Sequence, residues 1–151
     1  MIRAPLDRSA IEALIPHREP FLLIDRVIEL EPGVRCVAEH DFTGDEWYLR
    51  GHFPGNPIVP GVILTESCAQ TATVMAMALP EYRDGLGLFA GIDEMRFKRI
   101  VRPGETGRFE ATMEKMRRGY ARVVVRAFVG EDLAAEGTIQ AIFQPRAAPT
   151  R

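Results

Sequence analysis

The chain has 151 residues, 46% hydrophobic and 26% charged, which excludes a disordered polymer and suits one domain with a substantial core. A formal net charge of −2 gives no general attraction for nucleic acid, and Cys36 and Cys68 form neither a CxxC pair nor a disulfide framework. The N-terminus has no apolar signal segment, and prolines 54, 57 and 60 interrupt the longest weakly charged stretch, so a cytoplasmic protein with reduced thiols and no membrane span is expected.

In chain order, SAIEALI (9–15) reads as a short helix opened by a Ser9/Glu12 capping box and stopped by Pro16. Residues 22–30 and 34–43 are rich in β-branched side chains and flank Glu31-Pro32-Gly33, the pattern of a hairpin. RGHFPGNPIVPG (50–61) is crowded with glycine and proline and fits neither helix nor central strand. The run from 61 to 79 lies between Pro60 and Pro80 and predicts a helix, apolar nearly all round and therefore buried on most faces. Four more strands are expected: one over GLGLFAGIDEMRFKRIV, then GRFEATMEKMR, YARVVVRAFVG and LAAEGTIQAIFQ, with turns at Pro103-Gly104, Arg118-Gly119 and Gly130-Glu131-Asp132. The sum is an α+β domain spanning 1–146, with one long helix covered by about six mostly antiparallel strands and a frayed tail at 147–151.

From residue 53 through 80 the only formally charged side chain is Glu66. It lies inside the apolar helix, on the same face as Val62 and Gln70. It either occupies a solvated stripe, pairs with an arginine, or is buried with a raised pKa; the absence of neighbouring charges favours burial, and a buried carboxyl of this kind is a proton donor at neutral pH. His52 sits at the entry to the stiff loop that leads into that helix, where a neutral imidazole is well placed as a general base. The unpaired N–H groups at Pro60-Gly61 face outward with the positive end of the helix dipole and can polarise a carbonyl oxygen. Base, acid and oxyanion donor within fifteen residues suggest proton abstraction beside a carbonyl, with a leaving group that needs a proton. His17, His40 and His52 lack ligand spacing, so no metal is expected; GxSxG is missing, and GLGLFAG misses GxGxxG. The basic groups Arg96/Lys98/Arg99 and Lys115/Arg117/Arg118 are solvated strand faces or a surface for an acidic partner.

LIPHREPFLLIDRV (14–27), GHFPGNPIVPGV (51–62), ESCAQ (66–70), FAGIDEMRFKRIVRPGE (89–105) and KMRRG (115–119), in this order and with a fourteen-residue spacing from His52 to Glu66, resemble the FabZ-type β-hydroxyacyl-acyl carrier protein dehydratases, which have the hot-dog fold. The resemblance runs from about Ile11 to Phe143. It departs at GDEWYLR (44–50), with its unusual Trp47, at ESCAQ where EAMAQ is common, and at Leu88, where relatives often carry an aromatic. These differences bear on acyl chain length and carrier choice rather than on reaction type.

The resemblance implies that His52 removes the α-proton of a (3R)-hydroxyacyl thioester. It implies that Glu66, from the other protomer of a homodimer, protonates the departing 3-hydroxyl, while the Gly61 amide holds the thioester carbonyl. The product is a trans-2-enoyl thioester in fatty acid or related polyketide biosynthesis, with no cofactor. Phe53, Val62, Ile63, Gln70, Leu88 and Phe89 are the implied lining of an acyl tunnel. Arg96, Lys98, Arg99 and Arg118 are the implied docking residues for acidic acyl carrier protein, and dimers of the family assemble further into a trimer of dimers. The competing readings are a hot-dog acyl thioesterase, against which His52 and the HFPG loop argue, and a non-catalytic acyl-binding subunit, which would have been free to lose His52 or Glu66.

Overall fold

Asp7, not Ser9, caps the first helix in the computed structural model, which describes residues 1–147. Asp7 Oδ1 accepts a hydrogen bond from the Ala10 amide at 2.8 Å, and α1 is a single turn over Arg8–Glu12. Aspartate caps as well as serine does, and this earlier start places Ile11 fully inside the core. Apart from residue 147, the expected frayed tail lies outside the described residues.

The hairpin forms around Pro32-Gly33 as β1 (Arg26–Glu31) and β2 (Arg35–Asp41), with Gly33 at φ 74°. β1 begins four residues later than the residue pattern predicts. The reason is where the backbone groups go: the Leu23 amide and Phe21 carbonyl bond the side chain of Gln70 instead of a neighbouring strand. Four long strands follow the central helix: β3 (Leu86–Phe97), β4 (Thr106–Arg117), β5 (Tyr120–Val129) and β6 (Asp132–Gln144). All pairings are antiparallel, in the order β1-β2-β4-β5-β6-β3. The strand predicted to reach Val101 ends at Phe97 because the Lys98 and Arg99 amides both turn to the Ala134 carbonyl.

The helix α2 (Gly61–Met77) contacts every strand, and 13 of its 17 residues are buried. The sheet wraps it, giving the α+β hot-dog arrangement. Val74, Met75 and Met77 are fully buried, each contributing on the order of 1.5–3 kcal/mol of transfer free energy. The hydroxyls that share this interior are satisfied within the helix: Thr65, Ser67, Thr71 and Thr73 each donate to the carbonyl four residues back, at 2.8–3.1 Å. No helix among the described residues is long and apolar enough to cross a membrane. Both cysteines are free and buried, and burial pushes the Cys36 thiol up to about 12.

β3 is the last strand of the sheet, so its outer edge carries unpaired backbone groups along twelve residues. Leu86, Leu88, Phe89, Ile92 and Phe97 are all exposed on it, and Val62 of α2 beside it is 73% exposed.

Candidate active site

The loop that holds His52 is tied down along its length. The Ile58 amide donates to the His52 carbonyl at 2.9 Å, Phe53 and Asn56 exchange backbone bonds at 2.8 Å, and the Val59 amide reaches Val101 at 2.9 Å. Arg102 donates to Asn56 Oδ1 at 2.9 Å, fixing the loop against the turn before β4. The His52–Phe53 peptide is cis, and the two rings stack with centroids 4.1 Å apart.

His52 Nδ1 lies 2.8 Å from the Ile58 carbonyl oxygen. A carbonyl only accepts, so the Nδ1 proton must donate, which leaves Nε2 with its lone pair in the neutral ring. The same loop ends at Gly61, the first residue of α2, whose amide has no intrahelical acceptor and meets none elsewhere among the described residues. A side chain at Gly61 would place its Cβ 2.8 Å from the Phe97 ring, so glycine is needed here for packing.

Glu66 is mostly buried on α2. Burial pushes its carboxyl above the ordinary range, and the hydrogen bond from Gln70 only partly opposes this. Its Oε1 accepts from Gln70 Nε2 at 3.1 Å and faces His17 Nε2 at 3.8 Å. Glu66 stands between two hollows. One, of about 50 Å³, is lined by His17, Thr73, Leu88, Phe89, Ile139 and Phe143 among others. The other, of about 260 Å³ and almost wholly apolar, is lined by Val62, Thr65, Phe89, Ile92, Met95 and Phe97 and opens on the free edge of β3.

Of the six residues expected around an acyl chain, Val62, Leu88 and Phe89 line these hollows. Ile63 packs in the core, Gln70 is fully buried with its amide bonded to the Phe21–Leu23 backbone, and Phe53 lies on His52; none of these three lines either hollow. Among the described residues of one chain, His52 and Glu66 share no hydrogen bond, ion pair or cavity. The four basic residues also divide. Lys98 pairs with Glu136 at 3.2 Å, and Arg99 pairs with Glu105 at 2.6 Å and Asp132 at 3.3 Å. Arg96 and Arg118 have no ion pair among the described residues. Arg96 pairs in register with Glu136, whereas the Arg118 turn precedes Tyr120, which is opposite Ile142, so the two lie on the order of 20 Å apart along the sheet.

Two histidines that the sequence presents only as possible metal ligands have specific partners in the fold. His17 faces Glu66. His40 lies between two carboxylates, with Nδ1 2.8 Å from Asp25 and Nε2 3.0 Å from Glu46. Glu46 also accepts the Thr43 and Gly44 amides at 2.8 Å, so this cluster anchors the segment that runs into the His52 loop. Burial lowers the His40 pKa, but the hydrogen bonds and charges of Asp25 and Glu46 outweigh it and leave His40 above its ordinary 6.5. Burial raises Asp25 and Glu46, and their hydrogen bonds outweigh it, leaving both below their ordinary 3.8 and 4.5.

The raised His40 stabilises fully below pH 6.5 and loses that contribution as pH rises through its folded value. The lowered carboxylates stabilise above 4.5 and lose it as pH falls through theirs. The stability lost in His40→Phe is therefore expected to be greatest between pH 4.5 and 6.5 and to shrink on both sides, measured by urea unfolding across pH. A loss independent of pH would contradict the cluster's charge pairing.

A family model described as a FabA-like domain matches residues 15–138. A 3-hydroxyacyl-[acyl-carrier-protein] dehydratase FabZ of Chloroflexus aggregans is 57% identical over 134 residues, covering 89% of this chain and 93% of that protein. The enzyme of the same name from Thermomicrobium roseum is 49% identical over 146 residues, covering 96% and 98%. Among solved structures, a chain of the dehydratase heterocomplex ApeI:P from Xenorhabdus doucetiae aligns with a TM-score of 0.78 at 15% identity, over 90% of this chain and 91% of that one. A sigma28-regulated virulence protein from Campylobacter jejuni aligns at 0.68 and 16%, over 90% and 89%. At such identities the structures carry the fold, and the reaction rests on the sequence relatives.

Proposed function

Because this chain belongs to the FabZ-type dehydratases of the FabA-like family, we propose that it removes water from (3R)-hydroxyacyl thioesters of acyl carrier protein, yielding trans-2-enoyl thioesters for fatty acid biosynthesis. The observation that carries the assignment of roles is the opposite state of two groups. In the neutral ring His52 carries its lone pair on Nε2, because Nδ1 donates to Ile58, and Glu66 is held towards its acid form by burial.

Nε2 of His52 takes the α-proton, and the electrons of that C–H bond form the α,β double bond. The C3–O bond breaks, and the hydroxyl leaves as water with the Glu66 proton. His52 is then charged and Glu66 ionised, and exchange with solvent restores both. The Gly61 amide, at the N-terminus of α2, stabilises the charge that builds on the thioester oxygen.

The two groups meet, on this reading, only when a second copy covers the free edge of β3, so that Glu66 of one protomer faces His52 of the other. Three observations support the dimer: the long unpaired edge, the apolar row on it, and the separation of His52 from Glu66 within one chain. The apolar hollow beside Val62, Ile92 and Phe97 would then be closed by the partner and take the acyl chain. Arg96 and Arg118, free of ion pairs among the described residues, are the better docking candidates for an acidic carrier protein than Lys98 and Arg99. Further assembly into a trimer of dimers and a polyketide role both fit this reading.

Mass spectrometry of 3-hydroxyacyl carrier proteins of several chain lengths, after incubation with the protein, tests the reaction. Loss of 18 Da with the thioester intact is expected. Release of free carrier thiol would replace this reading with the thioesterase one.

A further inference from the structure

The geometry points to His17 as a positioning residue for Glu66: its Nε2–H faces Oε1 of that carboxyl and so biases Oε2 towards proton delivery. This rests on the reading of Glu66 as the acid.

Glu66 Oε1 accepts from Gln70 Nε2 at 3.1 Å and faces His17 Nε2 at 3.8 Å, a contact longer than a hydrogen bond. Oε2 has no partner among the described residues. His17 Nδ1 is buried with no hydrogen-bond partner among the described residues. A proton on Nδ1 would be an orphaned buried donor, which loses its bonds to water and gains none in return. The ring proton therefore belongs on Nε2, the nitrogen facing Glu66. The same cost opposes the imidazolium, which would carry protons on both nitrogens. Burial, and then the charge of Arg18, act in the same direction and hold His17 below its ordinary value.

His17 is kept in place independently of Glu66. The Arg18 guanidinium donates to the carbonyls of Glu12, Ile15 and His17 at 2.7–2.9 Å, and Pro16 precedes the pair. The β3 and β6 residues that line the smaller hollow carry no titratable group, and neither do the other residues around the larger one. Among the described residues, Arg18 is thus the one charge that acts on His17.

In a carboxylic acid the carbonyl oxygen accepts and the hydroxyl oxygen donates. Gln70 donates to Oε1 and the His17 Nε2–H faces it, which makes Oε1 the carbonyl oxygen, so the proton resides on Oε2. Once that proton has left, the same two N–H groups favour the carboxylate. Without His17 only the Gln70 hydrogen bond distinguishes the two oxygens, and the carboxyl turns more readily.

His17→Phe fills the space without a donor and is expected to lower kcat about 10–100-fold with KM little changed, while His17→Gln, which keeps an N–H near Nε2, recovers most of the loss. The alkaline limb of the kcat profile should move upward in His17→Phe, because the ionised carboxylate loses a donor, and should return in His17→Gln. Nitrogen NMR of the wild-type ring provides a test that no folding defect can obscure: Nε2–H with bare Nδ1 at neutral pH is expected. The Nδ1–H tautomer, an imidazolium, or a His17→Phe variant with wild-type kcat and pH profile would overturn the role. Glu66→Gln run alongside separates the two readings. If it loses turnover while His17→Phe does not, the acid stands and His17 falls; if it keeps turnover, both fall.

Discussion

Glu66→Gln is expected to lower dehydration by about 10²–10⁴-fold without loss of fold, and His52→Asn by a similar factor. The amide introduced by Glu66→Gln matches the acid in shape and still accepts from Gln70, but it cannot give a proton to a departing hydroxyl. The asparagine introduced by His52→Asn can still donate to the Ile58 carbonyl in place of Nδ1, so the loop keeps its tie while the base at Nε2 disappears. Stability gives an internal control. A carboxyl whose folded pKa is raised binds its proton better in the native state, so wild-type stability declines as pH rises above the ordinary 4.5 and through the folded value. Relative to wild type, Glu66→Gln should therefore gain stability over that range while losing activity at every pH. A variant that dehydrates 3-hydroxyacyl carrier protein at the parental rate would remove Glu66 from the mechanism.

Gln70→Leu is expected to be the most destabilising of the changes near the site, by about 2–5 kcal/mol. Gln70 is fully buried and its amide is completely used: Oε1 accepts from the Leu23 amide at 2.8 Å, and Nε2 donates to Phe21 at 2.8 Å and Glu66 at 3.1 Å. Leucine has a comparable volume, so the loss comes from stranded backbone groups and not from a cavity. Among the described residues the segment from Pro16 to Ile24 has no strand partner, and this brace joins the Arg8–Leu22 and Trp47–Pro20 hydrogen bonds in holding it, so its loss should loosen Phe21–Leu23 and the Glu66 carboxyl together. Hydrogen exchange at the Leu23 amide, faster in the variant than at neighbouring core amides, would locate the effect. Wild-type stability in Gln70→Leu would mean that the brace is dispensable.

Much of this was legible in the sequence because it is local. Pro60 and Pro80 bound the helix, and Pro32-Gly33, Pro103-Gly104 and Arg118-Gly119 mark turns within a residue or two of where they form. The isolation of Glu66 among apolar neighbours announced its burial. The misreadings share a cause, which is that two options with equal local credentials were decided by distant contacts. Asp7 and Ser9 are both good caps, and the burial of Ile11 accompanies the start at Asp7. Leu22–Asp25 has strand composition, but a glutamine 47 residues from Leu23 takes its hydrogen bonds. His17 beside Glu66 and His40 between Asp25 and Glu46 are likewise long-range encounters, and no spacing rule reports a histidine that faces a carboxylate across the fold. The basic residues that charge alone groups together lie apart along the sheet, because register, not sequence distance, sets their spacing.

The central claim is that each site takes His52 from one protomer and Glu66 from the other. Its most direct test is to co-express His52→Asn and Glu66→Gln chains under different tags, purify the mixed dimer through both tags, and assay it. One of its two sites would then combine the intact His52 with the intact Glu66, and about half the wild-type activity is expected, far above either parent. A mixed dimer no more active than the two inactive parents would place both residues' work within a single chain and contradict the account.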